Sequence, residues 1–200
     1  MTPVERVVDF AERLARTELV ENYPLRGCTE DEIAKLERRN SIKLPATYRE
    51  FLKRMGHCAA GIGSEELLYY SVLTQTEYMH VCCKKFNEKR QAEIAELNFF
   101  QKISRFLVRL GLPEFPLHIP DEAGYSIPSD IFFIFWNDVE TTYWAIKCDN
   151  SEDSPILTFN EEWELESARE FDSLVDFLDM LLAESLDWHL RSKEWREAGL

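Results

Sequence analysis

A chain of 200 residues with 45% hydrophobic and 12% aromatic residues can bury a sizeable core, which excludes a disordered chain and a miniprotein dependent on disulfides or metal. Its net charge of −14 is unevenly placed: residues 1–120 carry 18 Lys+Arg and 17 Asp+Glu (+1), whereas residues 121–200 carry 5 and 20 (−15). Such a field repels phosphate backbones and anionic lipid, so neither nucleic acid nor membrane is expected as a partner; a solubilising coat and a face for a basic protein are both open.

Cys28, Cys58, Cys82, Cys83 and Cys148 form no Cys-x-x-Cys pair. Glu5, Arg6 and Asp9 interrupt any apolar leader, and no uncharged run approaches the ~20 residues of a bilayer span. A reduced, cytoplasmic protein is expected.

In chain order, Val4, Val7, Val8, Ala11, Leu14 and Ala15 share one stripe, predicting a packing helix over 3–19 that Asn22-Tyr23-Pro24 ends. A helical hairpin follows over 27–56. Thr29 is an N-cap candidate, and Glu32 completes a capping box behind which Ile33 and Leu36 share a face. Asn40 is the expected left-handed stop. Pro45 opens a second helix, with Tyr48, Phe51, Leu52 and Met55 at helical spacing and Gly56 at its end. The two glycines of Ala59-Ala-Gly-Ile-Gly-Ser64 lack the pattern of a phosphate cradle and read as a turn.

Leu67 to Leu73 reads as a strand, and residues 75–110 as helical, with Tyr78, Val81, Cys82 and Phe86 on one stripe. Lys84, Lys85, Lys89 and Arg90 form a basic cluster, either a solvated face or a contact for the acidic half of a second copy. Three strands follow, Ile131 to Trp136, Thr142 to Cys148 and Ile156 to Phe159, and their short connections require antiparallel neighbours. Glu162 to Glu166 alternates acidic and apolar residues, as an edge strand does. A closing helix begins near Asp172, with a polar tail after about His189. The expected fold is α+β: one domain spanning 1–200, an antiparallel sheet flanked by helices.

Several of these residues carry a family likeness. Gly27, the capped helix with its Ile-x-x-Leu-Glu face, Leu44-Pro-x-x-Tyr-x-x-Phe-Leu52 and Gly56 resemble the opening of the SUKH superfamily. Gly124-Tyr-Ser-Ile-Pro128, the strand from Ile131, the acidic turn, the strand through Lys147 and the helix begun by Phe171-Asp172-Ser173 follow in the same order. The likeness covers about 24–182 and makes 75–110 a helical insertion. It implies a protein-binding domain, since the superfamily includes fungal cell-wall regulators and bacterial immunity proteins against secreted toxins.

No constellation reads as catalytic, and no cofactor is expected. His57, Cys58, His80, Cys82 and Cys83 lack the paired spacing of a zinc site, and Cys82 lies on an apolar stripe. No signature supports a Cys–His nucleophile. What remains is a surface: Asp138, Glu140, Asp149, Glu152 and Asp153 in strand turns, Glu161, Glu162 and Glu164 after them, and Tyr143 as an aromatic anchor beside Glu140. The resemblance and the charge together point to an immunity protein, monomeric or homodimeric, that binds a cognate toxin, a basic, nuclease-like one. The alternative is an intracellular scaffold or regulatory module.

Overall fold

The computed structural model describes residues 1–21, 23–62, 81–89, 91–92, 127–137, 142–160 and 165–197. Helix α1 spans Pro3–Leu14, with Thr2 and Glu5 in a reciprocal capping box and Pro3 in the first turn. Its buried stripe is Val7, Phe10, Ala11 and Leu14. The helix stops short of residue 19 because the Thr17 hydroxyl turns back to donate to Leu14 O at 2.8 Å, and a 3₁₀ turn, Glu18–Glu21, follows.

Helices α2 (Glu30–Asn40) and α3 (Ala46–Met55) form the expected hairpin. Thr29 and Glu32 make the capping box. The left-handed stop is Ser41 (φ 55°), one residue beyond Asn40, whose side-chain amide instead donates to Leu36 O at 3.0 Å. Pro45 is the N-cap of α3 and offers no capping side chain. The vacancy is filled from far away in sequence: Thr47 N–H donates to Glu152 O at 3.1 Å.

Gly56 closes α3 in right-handed conformation, so the need for glycine there is steric. A Cβ would collide with Cys28 Sγ and meet Leu52 O at 2.6 Å. The chain before α2 runs beside the end of α3: Arg26 and Cys58 exchange antiparallel bonds of 3.0 Å, and Cys28 N–H donates to Leu52 O at 2.8 Å.

Residues 81–89 are helical and form α4. The sheet is an antiparallel meander ordered β1 (Ile131–Asn137), β2 (Thr142–Lys147), β3 (Ile156–Phe159), β4 (Leu165–Phe171). The edge strand β4 starts inside the alternating acidic stretch and runs five residues past Glu166. The strand expected over 67–73 lies outside the described residues, as does most of 75–110.

Four consecutive residues, Ile131 to Ile134, are buried, and so are Ile156 to Phe159. Burial without alternation means that both faces of the sheet are covered. On one face Phe132, Ile134, Ile146 and Ile156 join the main core with α1, α2, α3 and α5. On the other, Ile131, Phe133, Ala145, Leu157 and Phe159 pack with Cys83 and Phe86 of α4.

Helix α5 (Leu174–Glu197) begins at Ser173, whose Oγ accepts Asp176 N–H at 3.2 Å. It buries Leu174, Val175, Phe177, Leu178, Leu181 and Leu182. Two ion pairs tie it to α1: Arg6 to Asp176 at 2.7 Å and Arg13 to Asp179 at 2.8 Å. The polar tail after His189 stays helical as far as Glu197.

Candidate partner-binding surface

A meander brings the start of β1, the β2–β3 turn and the end of β4 to the same end of the sheet. The register shows it: Ile131 pairs with Lys147, Ile146 with Ile156, and Ile156 with Phe171. Asp130, Asp149, Glu152, Asp153, Glu170 and Asp172 therefore gather at one end. Lys147 lies between two of them, 3.8 Å from both Asp130 and Asp149.

These acids do different work. Asp149 is exposed and accepts Ser151 N–H at 3.2 Å, holding a turn in which Asn150 adopts φ 67°. The hydrogen bonds from Ser151, and then Lys147, keep its carboxyl below the usual aspartate value. Glu152 and Glu170 are exposed, and Glu152 lends only its backbone carbonyl to α3. Asp153 turns inward, accepting the buried Thr47 hydroxyl at 2.8 Å and Ser154 N–H at 3.0 Å. Its negative charge at the α3 N-terminus also complements the helix dipole. Asp153 is thus a structural tie, and among the described members of the predicted turn cluster Asp149 and Glu152 are the ones less committed to the interior.

Tyr143 and Trp144 point to opposite faces, but neither is an exposed anchor. Tyr143 packs edge-on against Phe133, with ring centroids 6.4 Å apart, at the second cluster. Trp144 packs against Phe177 at 6.0 Å. Asp138, Glu140, Glu161, Glu162 and Glu164 lie outside the described residues. Helix α5 carries two exposed aromatics: Trp188 (64% exposed) and Trp195 (50%) meet in a T at 5.9 Å, with Leu190 exposed nearby. The sequence reading missed this pair because it ended the apolar stripe at Leu186.

Of the residues considered as metal ligands, His57 does not join Cys58. It meets Glu32 and Cys28 instead, with His57 Nε2 3.1 Å from Glu32 Oε1. The ligand atoms of the three lie within 4.8 Å of one another. Burial pushes the Cys28 thiol up to about 12, and the Glu32 charge adds to the shift. The Glu32 carboxyl is held below its ordinary value, first by Thr29 N–H and then by His57.

Compared with known families, residues 27–180 match the model of the SMI1 / KNR4 family (SUKH-1). The chain belongs to this family. No curated protein and no solved structure matches it. The SUKH-1 match opens on Gly27, where an added Cβ would collide with the Lys53 carbonyl, and closes inside α5 at Met180. Helix α1 and the Trp188–Trp195 segment are thus additions to the matched SUKH-1 stretch. Membership is consistent with protein–protein interaction in general. Among the described residues, no helix is long and apolar enough to cross a membrane.

Proposed function

We propose that this SUKH-1 protein is an immunity protein, a binder without catalytic chemistry of its own, that neutralises a cognate bacterial toxin by covering it with its acidic end. The observation that carries the reading is the gathering of Asp130, Asp149, Glu152 and Glu170 at one end of the sheet. Arg6 and Arg13 answer Asp176 and Asp179, so part of the −15 of residues 121–200 is neutralised in place. The outward-facing charge at the sheet end is what a partner meets. A nuclease-like toxin suits it, because a protein that holds phosphates carries basic residues that such a surface can imitate and cover. Opposed fields of this kind raise association to ~10⁸–10⁹ M⁻¹s⁻¹ at low salt.

The test is capture of the partner from the producing cell, followed by association kinetics across a salt series. Rates should fall steeply with ionic strength, and Asp149→Asn with Glu152→Gln and Glu170→Gln should slow association while leaving folding intact. Association indifferent to salt rejects the reading. The exposed Trp188–Trp195 pair favours a second one, a regulatory module that docks through an apolar face. In that case Trp188→Ala abolishes binding, the acidic variants do not, and no toxin is neutralised.

A further inference from the structure

We propose that Cys28, Glu32 and His57 form a binding site for one borderline-soft divalent cation, with zinc as the fitting ion. A thiol, an imidazole and a carboxylate converging from three points of the chain are a zinc-type donor set; magnesium and calcium would require oxygen ligands alone. A tetrahedral zinc with bonds of about 2.0–2.3 Å sets its ligand atoms roughly 3.3–3.6 Å apart. The His57–Glu32 edge, 3.1 Å, is already near that value. The widest separation within the set, at most 4.8 Å, closes with side-chain shifts of about 1 Å.

The ligands are held in place by bonds that do not involve a metal. Cys28 is anchored by its N–H to Leu52 O, and His57 by its N–H to Arg26 O at 2.8 Å, so two neighbouring backbone segments carry the sulfur and the ring. Glu32 offers one oxygen to His57 while Thr29 N and Oγ1 donate to the other at 2.8 and 2.9 Å. A ligating carboxylate whose second oxygen is hydrogen-bonded is the usual outer-shell arrangement around zinc. Gly56 leaves room for the sulfur, since any side chain there would strike it.

The site has an inner and an outer side. Cys28 is 7% exposed and the His57 side chain 11%, whereas the Glu32 side chain is 31% exposed and opens the approach. Three protein ligands leave a fourth position facing solvent on the Glu32 side. A nucleophilic Cys–His–Glu triad is the rival use of the same residues. It is disfavoured because the thiol is buried and the Glu32 charge beside it works against its ionisation. A bound cation removes that proton itself, because a coordinating thiol is deprotonated on binding.

The experiment uses the full chain, reduced and stripped with chelator, then titrated with cobalt(II) as the spectroscopic probe. The expected result is one equivalent bound with a tetrahedral visible spectrum and a thiolate-to-cobalt charge-transfer band, both displaced by zinc. Cys28→Ser should abolish the charge-transfer band, while Cys58→Ser should leave it. Glu32→Gln, which can still accept from Thr29 and so preserves the cap, should weaken zinc at least about tenfold against a chromophoric chelator. No charge-transfer band in the unmodified protein, a band that survives Cys28→Ser, or zinc affinity unchanged in Glu32→Gln each overturns the assignment.

Discussion

Replacing Gly27 with alanine places a methyl group where the end of α3 already lies. The added Cβ overlaps the Lys53 carbonyl oxygen and carbon and sits 3.0 Å from Arg54 N. These are backbone atoms, so none of them can rotate aside. Restoring an ordinary carbon–oxygen contact opens the two segments by ~1.5 Å. That breaks the Cys28–Leu52 hydrogen bond and pulls on the Arg26–Cys58 bridge. Overpacking costs about 1–3 kcal/mol and the lost bond about 1 more, which gives a loss of ~3 kcal/mol. With a urea slope of about 2–3 kcal/mol/M, the unfolding midpoint should fall by roughly 1–1.5 M, read by tryptophan fluorescence. Gly61→Ala is the comparison: Gly61 has φ 73°, and among the described residues an added Cβ meets only Tyr23 Cδ2 at an ordinary 3.7 Å, so the change costs only ~1 kcal/mol of left-handed backbone strain. An alanine at 27 whose midpoint stays within ~0.3 M of the parent, or a larger loss at 61, refutes the reasoning.

Thr47→Val leaves the inward-facing Asp153 carboxylate with only its Ser154 hydrogen bond and should cost ~1–2 kcal/mol, while Glu152→Ala stays within about 0.5 kcal/mol; equal costs in urea melts would remove Asp153 from its structural role. For Asp176, burial alone would raise the carboxyl's pKa, but the Ser173 hydrogen bond and then Arg6 outweigh it and hold the value below 3.8. A depressed folded value stabilises above the unfolded pKa and loses that effect as pH falls through the folded one. Asp176→Asn should therefore flatten the stability-versus-pH curve below about pH 4 by no more than ~1 kcal/mol, the pair being half exposed. Thiols at about 12 are ionised only to ~10⁻⁴ at pH 8, so Cys28 and Cys148 should be the slow positions in iodoacetamide labelling followed by mass spectrometry, and speed up until strongly alkaline pH. Fast labelling of either in the folded protein contradicts the burial that shifts them.

Features set by neighbours in sequence were the legible ones. The Thr29–Glu32 box joins residues only three apart in sequence, and the meander follows from turns too short for any crossover. Asn40 and Ser41 could each stop α2; the choice fell to Ser41 because the Asn40 side chain had a carbonyl within reach. The cap of α3 was hidden, since its acceptor, Glu152, lies more than a hundred residues away. The acidic end was half legible. The turn acids were picked out, but Asp130 and Glu170 required the further step of asking which strand ends coincide in a meander. The Cys28–Glu32–His57 convergence depends on the Arg26–Cys58 bridge, which no local pattern announces. The half-burial of Tyr143 was not legible because a sheet covered on both sides leaves no clear alternation to mark it.

With helices lying against both broad sides of the sheet, no visitor can lie flat upon it. On the proposed acidic-end reading, docking comes edge-on, at the perimeter where turns and strand ends emerge. A grip of that shape is narrow, so it depends on a handful of well-aimed residues and on quick capture more than on area. Recognition is then separable from folding: the perimeter can be rewritten for a new target while the interior that keeps the protein upright is left alone.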